Sequence, residues 1–264
     1  MFIMQRFGKM HVLRNNLTFF GKIGYFINGI PDIGAFLRFL YFKKYVSKVR
    51  KKVDVLDAGC GGGDYSLFLI NNYSLINHID AIDINQDEIN KNILLFKNYP
   101  SITFKKQDLQ TLNYSRSKYD LIYSIDCLEH IPNNKQVLKS FYALLNPQGI
   151  LLVHLPLAPS ERLHYFNSSY FKKFNEFEKN EHVGEFYYPE QLKEVLMKIG
   201  FVDVKYSITF GYCGQLSWEL DHLLIEKKWF KLRTLLVLPL KAICFVDRVI
   251  TNKKGSGIFI QASK

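Results

Sequence analysis

Residues 55–63 read VLDAGCGGG, an apolar run closed by Asp57 and then glycine at four of five positions, Gly59, Gly61, Gly62 and Gly63, with Cys60 between. A glycine turn between a strand and a helix lets a ligand approach the main chain with no Cβ in the way. In the dinucleotide fingerprint G-x-G-x-x-G the third glycine allows close helix packing under a pyrophosphate. Here Gly59 and Gly61 fit that spacing, but the third position is Asp64, whose charge at a helix N-terminus repels phosphate. Two further carboxylates follow: Asp83 in DAIDIN, twenty residues after Gly63, and Asp108 in ITFKKQD. An acid at the end of a second strand is placed to accept hydrogen bonds from ribose hydroxyls. Asp57, Asp83 and Asp108 at the ends of three successive strands therefore suit a nucleoside that carries positive charge. A lone Asp at a strand end is commonly a cap; three beside a glycine loop are not read that way.

Histidines supply the candidate proton acceptors. His154 stands in HLPL at a strand end, and His182 with Glu185 in HVGEFYYP before a helix; each could take a proton from an acceptor group within hydrogen-bond reach. For each histidine taken singly, a structural role is the competing reading.

The elements that must position these groups alternate. Strands are expected at 53–58, 78–84, 102–108, 119–125 and 149–156, and helices at 65–73, 87–96 and 135–145, the rhythm of a parallel βαβ sheet covered on both faces. A helix opens after Pro31 with Asp32 as N-cap and runs to about residue 52. Beyond Pro156 the rhythm changes: 157–188 reads as an acceptor-side loop with some helix around 170–177, 189–200 as a helix from Pro189 to Gly200, 201–210 as a strand, 215–250 as largely helical and 257–263 as a final strand.

Five segments in order resemble the class I S-adenosylmethionine-dependent methyltransferases: VLDAGCGGG, AIDIN, QDL at 107–109, YDLIYSIDCLEHI at 119–131 and LLNPQGILLV at 144–153. The LEHI stretch resembles the branch containing quinone-biosynthesis and small-molecule methyltransferases. The resemblance implies an α/β, Rossmann-like, doubly wound seven-stranded sheet with an antiparallel last strand, here with an N-terminal helical arm (1–52) before a methyltransferase domain (53–264) and a helical insertion at 211–254. It implies S-adenosyl-L-methionine as cofactor, its methionine end near Asp57, Gly59, Cys60, Gly61 and Gly63, its ribose at Asp83 beside Ile84, and its adenine at Asp108 and Leu109. Ser124, Ile125 and Asp126 would face the sulfonium. Some quinone-pathway relatives hold a divalent metal near the LEH segment, to which Glu129 and His130 could contribute; no metal is assigned.

The acceptor expected is a small-molecule, glycan or lipid-linked group methylated at oxygen or carbon. Charge keeps other partners open. The net +11 is concentrated in residues 1–52, with 11 Lys/Arg against one acid, leaving 24 against 23 in the remainder. Such an arm could meet RNA, an anionic membrane or an anionic substrate, or simply cover the core with a solvated face. An RNA methyltransferase and a non-catalytic cofactor-binding assembly protein are the alternatives; nucleic acid is disfavoured because no RNA-binding module is recognised and SIDCLEHI replaces an NPPY-type amine motif. The insertion interleaves apolar and basic residues, consistent with an acceptor pocket or a membrane-docking face, with helix packing or a dimer interface as the competing reading. Four cysteines without CxxC pairing suit a reducing compartment, no signal peptide is read at the N-terminus, and no apolar run reaches bilayer length. The expected location is cytoplasmic, with peripheral contact at a membrane.

Overall fold

The computed structural model describes residues 32–47, 51–112, 118–167 and 169–264. Seven strands form one sheet in the order β3-β2-β1-β4-β5-β7-β6, with β1 Val53–Ala58, β2 Ile76–Asp83, β3 Ile102–Lys106, β4 Tyr119–Ile125, β5 Leu145–Pro156, β6 Val202–Thr209 and β7 Gly257–Ser263. The pairs β1–β2, β2–β3, β1–β4 and β4–β5 are parallel, whereas β7 is antiparallel to both neighbours. The expected seven-stranded sheet with an antiparallel last strand is therefore the observed one. The strand order reverses between β1 and β4, and open α/β sheets bind ligands in the crevice outside the C-terminal strand ends at such a point.

Alternate residues of each strand feed opposite faces, as a two-residue period requires. Val55 and Tyr123 pack into one core with Leu67, Phe68 and Phe259; Leu56 and Ile122 pack into the other with Val137, Phe141 and Leu192. The helices are α1 Ile33–Val46, α2 Asp64–Asn72, α3 Gln86–Leu95, α4 Asn134–Leu144, α5 Ser169–Glu181, α6 Pro189–Ile199, α7 Tyr212–Glu226 and α8 Phe230–Val249. Two differ from the sequence reading: α1 stops at Val46 rather than near 52, and 157–188 contains a 13-residue helix, α5.

α1 belongs to the first core. Asp32 caps it, its Oδ1 accepting from Ala35 N–H at 2.5 Å, and Ile33, Leu37, Leu40 and Phe42 are buried. Tyr45 stacks on Phe259 of β7 with ring centres 5.0 Å apart, and the Tyr41 hydroxyl donates to the carbonyl of Asp247 in α8 at 3.0 Å. The expected binding arm falls partly on residues 1–31, which lie outside the described residues. Among the described residues no helix is long and apolar enough to cross a membrane.

A candidate cofactor crevice and acceptor cavity

β1 ends in a turn that needs its glycines. Gly59, Gly61 and Gly63 have φ of 82°, 46° and 74°, the left-handed region. A Cβ on Gly59 would lie 2.3 Å from Cys127 Sγ, so that glycine is where the turns after β1 and β4 touch. A Cβ on Gly61 would meet nothing within 4 Å. The main chain at Gly61 thus faces open space at the switch point, while its N–H donates to Asp83 Oδ2 at 2.8 Å and its carbonyl accepts from Asn92 at 2.6 Å.

The acidic residues gather at this end of the sheet. Asp57 is buried and accepts from Ser66 Oγ at 2.7 Å. Burial outweighs the hydrogen bonds from Ser66 and Tyr123 and pushes its carboxyl up to about 7. Asp83 spans the loop, Oδ1 accepting from Asn85 N–H at 2.9 Å. Asp108 Oδ1 accepts from Gln110 N–H at 2.8 Å and so caps a short turn. Ile84 is exposed and Leu109 buried, on either side of the space between the β2 and β3 ends. Ser124 is buried at the end of β4 beside the Cys127 thiol. An open glycine main chain and acids at or just past three strand ends fit a cationic nucleoside such as S-adenosylmethionine. Asp83 adds its negative charge beside the buried Asp57, which opposes a phosphate-like anion here.

Next to the crevice lies a cavity of about 340 Å³. Asp126, one residue past β4, forms its wall in a left-handed conformation with φ 49°, a strained conformation for a residue other than glycine. Its carboxylate holds Arg38 Nε at 2.9 Å and accepts a hydrogen bond from His154 Nδ1. Burial raises the Asp126 carboxyl, but Arg38 and His154 overcome it and hold it at about 2. His154 lines the cavity, yet both its nitrogens are engaged: Nε2 lies 3.0 Å from Thr209 Oγ1, and the ring is 3 % exposed. That arrangement orients the ring rather than leaving a nitrogen for an acceptor's proton.

His182 reaches the same cavity, and its Nδ1 is buried without a partner. Burial, with the neighbouring His130 and Arg162, lowers it to about 4, so its imidazole is neutral at physiological pH. Glu185 does not join it. That carboxylate pairs with Lys135 at 3.0 Å on a separate surface depression, because the chain reverses at Gly184, whose N–H donates to Glu129 O at 2.8 Å.

Among the cavity's charged groups, Arg38, Arg162 and Glu178 were not singled out in the sequence, whereas Glu129 and His130 were named there beside a metal. Arg38 sits on α1 and Arg162 on the acceptor-side loop, where Arg162 pairs with Glu178 of α5 and leaves Nη2 without a partner. Glu129 is 4 % exposed, its Oε2 is unpartnered, and burial together with Asp126 raises its carboxyl well above the ordinary range. Glu129, His130 and His182 each offer a ligand atom within 4.8 Å of the others, a grouping that joins LEHI to the far end of α5. Phe171 and Phe174 of α5 flank Trp218 of α7, with ring centres 5.7 and 5.3 Å away, so the cavity has one aromatic wall and one charged wall. Only the helical period of α1 hinted at Arg38; nothing local marked Arg162 or Glu178, which meet from positions 16 residues apart.

A family model described as a methyltransferase domain matches residues 32–206. Among curated proteins, a demethylmenaquinone methyltransferase from Lactobacillus johnsonii is 29% identical over 182 residues, 61% of this chain and 74% of that protein. A ubiquinone biosynthesis O-methyltransferase from Coxiella burnetii is 29% identical over 114 residues, 41% of this chain and 46% of that protein, so the chain spans about half of this second relative. Among solved structures, Haemonchus contortus phosphoethanolamine N-methyltransferase 2 in complex with S-adenosyl-L-methionine superposes with TM-score 0.64 at 17% identity, covering 97% of this chain and 59% of that one. At that identity the likeness is one of fold.

Proposed function

The chain belongs to the S-adenosylmethionine-dependent methyltransferases, and from that membership we propose methyl transfer to an oxygen, or a carbon, of a small-molecule, glycan or lipid-linked acceptor seated in the cavity beside Asp126. The observation that carries this reading is the shared wall: Asp126 and Glu129 follow β4 at the crevice and also line the 340 Å³ cavity. S-adenosylmethionine, when bound, supplies an activated methyl group on a sulfonium.

The chain's own residues hold and align. Asp57 and the open main chain at Gly61 receive the methionine end, Asp83 with Ile84 the ribose, and Asp108 with Leu109 the adenine. Ser124, Ile125 and Asp126 border the reacting centre. Displacement at a methyl group depends mainly on holding acceptor and donor in line, which fixed walls can supply. His154, locked between Asp126 and Thr209, keeps the Asp126 wall in place. His182, a neutral imidazole lining the cavity, offers a hydrogen-bond acceptor to the hydroxyl being methylated. Two relatives named for demethylmenaquinone and for ubiquinone biosynthesis support an aromatic or lipid-soluble acceptor, and the aromatic wall of Phe171, Phe174 and Trp218 suits a ring. Peripheral contact with a membrane accompanies such an acceptor.

The test is transfer of a labelled methyl group to a panel containing hydroxylated phenols and naphthols, phosphoethanolamine and bulk RNA. Label on a phenol or naphthol is expected. Label confined to amine nitrogen or to RNA would sink the acceptor assignment while leaving the family intact.

A further inference from the structure

α8 carries one face that nothing in the described structure covers. Its buried side consists of Val237, Leu240, Lys241, Cys244 and Asp247, packed toward α1 and α7. The opposite side is apolar throughout: Leu235, Leu238, Pro239, Ala242, Val246 and Val249 are all exposed, Leu235 and Val249 by 73 % and 75 %. These positions recur at three- and four-residue steps, which puts them on one stripe. From Leu232 to Val249 the stripe runs roughly 26 Å at the helical rise. An exposed apolar surface of this length on a helix whose other face already fills the core is unusual in a monomer.

Charge around the stripe has one sign. Lys227, Lys228 and Lys231 stand exposed at its start beside Trp229 and Phe230, and Lys253 and Lys254 beyond its end. Between residues 227 and 254 the sole acid is Asp247, which is buried and accepts from Gly214 N–H at 2.9 Å. An apolar helical face with aromatic residues at one end and a lysine rim is the chemistry that lies in the headgroup region of an anionic bilayer. Arg233, on the opposite, buried side of α8, pairs with Asp221 of α7 at 2.7 Å and anchors the helix to the fold, leaving the stripe facing outward.

We propose that the exposed face of α8 docks onto an anionic lipid bilayer, lying in its headgroup interface. This rests on the membrane contact proposed above and names the surface that makes it.

Flotation of the full chain with vesicles of phosphatidylcholine alone, or with phosphatidylglycerol added, tests the docking directly. The wild-type chain is expected to float with the anionic vesicles, to dissociate in high salt, and to bind neutral vesicles weakly. Leu235→Glu with Val246→Glu should lower partition by about tenfold or more, and a Lys227→Glu, Lys228→Glu, Lys231→Glu variant should abolish the preference for anionic lipid. Both variants keep residues 1–31, so these losses report on α8 alone. Melting curves and S-adenosylmethionine titration should match wild type, since every altered side chain is on the surface; failure of cofactor binding in the wild type would instead strike the enzymatic reading. The docking is overturned if the wild type ignores anionic vesicles at low salt, if the α8 variants bind as wild type does, or if light scattering shows a wild-type dimer that Leu235→Glu splits, which makes the stripe an interface between copies.

Discussion

Arg38 and Asp126 meet at 2.9 Å, tying a helix that precedes the first strand to the turn that follows the fourth. The pair fixes the wall between crevice and cavity, and His154 completes it from β5. Asp126→Asn keeps the shape but loses the charge that faces Arg38 and His154. It should destabilise the chain by about 1–3 kcal/mol. Because the folded-state carboxyl is held below its unfolded value, the stabilisation it provides is present above about pH 4 and is lost as pH falls toward about 2. Acid unfolding followed by circular dichroism should show that loss in the wild type and a flatter profile in the variant.

Asp57 gives the opposite sign. Its carboxyl is raised to about 7, so its ionisation costs stability progressively as pH rises from about 4 to about 7. A cation bound beside it favours the ionised form. Affinity for S-adenosylmethionine should therefore rise about tenfold per pH unit up to roughly pH 7 and then level off. Calorimetric titration across pH 5.5–8.5 should show this slope, and Asp57→Asn should remove it along with most of the affinity.

Two glycines two residues apart should respond differently. Gly59→Ala places a methyl 2.3 Å from Cys127 Sγ at φ 82°, and should cost about 2–4 kcal/mol of folding stability. Gly61→Ala meets open space, so its folding cost should be about 1 kcal/mol while cofactor affinity falls much further. Thermal melts paired with cofactor titration separate the two; equal effects on both quantities at Gly61 would mean that its main chain does not face the ligand.

His182 and His154 should separate in kinetics. His182→Ala should lower kcat by about tenfold with cofactor affinity unchanged. Since burial, His130 and Arg162 lower His182 to about 4, the wild-type rate should show no histidine titration between pH 5.5 and 8 arising from it. His154→Gln should chiefly reduce stability and loosen the Asp126 turn. A kcat loss confined to His154 would reverse the two roles.

Glu219, fully buried in α7, accepts both Tyr165 N–H and Phe166 N–H at 2.9 Å and so pins the acceptor-side loop to the insertion. Glu219→Ala should free that loop, raising protease cleavage near residue 165 and the KM for acceptor while leaving cofactor affinity close to wild type.

Much of this was legible in the sequence because it is local. The βαβ rhythm fixed the parallel strands and put the VLDAGCGGG turn, Asp83 and Asp108 at or just past the ends of β1, β2 and β3, since a glycine turn and strand-end acids lie in contiguous stretches whose period and residue types carry their conformation. The cavity was not local. Arg38, Asp126, His154, Arg162 and His182 come from five separated segments, and only the folded chain decided that Arg162 meets Glu178, that His154 spends both nitrogens on Asp126 and Thr209, and that Glu185 turns away to Lys135. The orientation of a side chain, and with it the burial that drives Asp57 up and Asp126 down, depends on neighbours far along the chain. Residue type and spacing alone do not encode those neighbours.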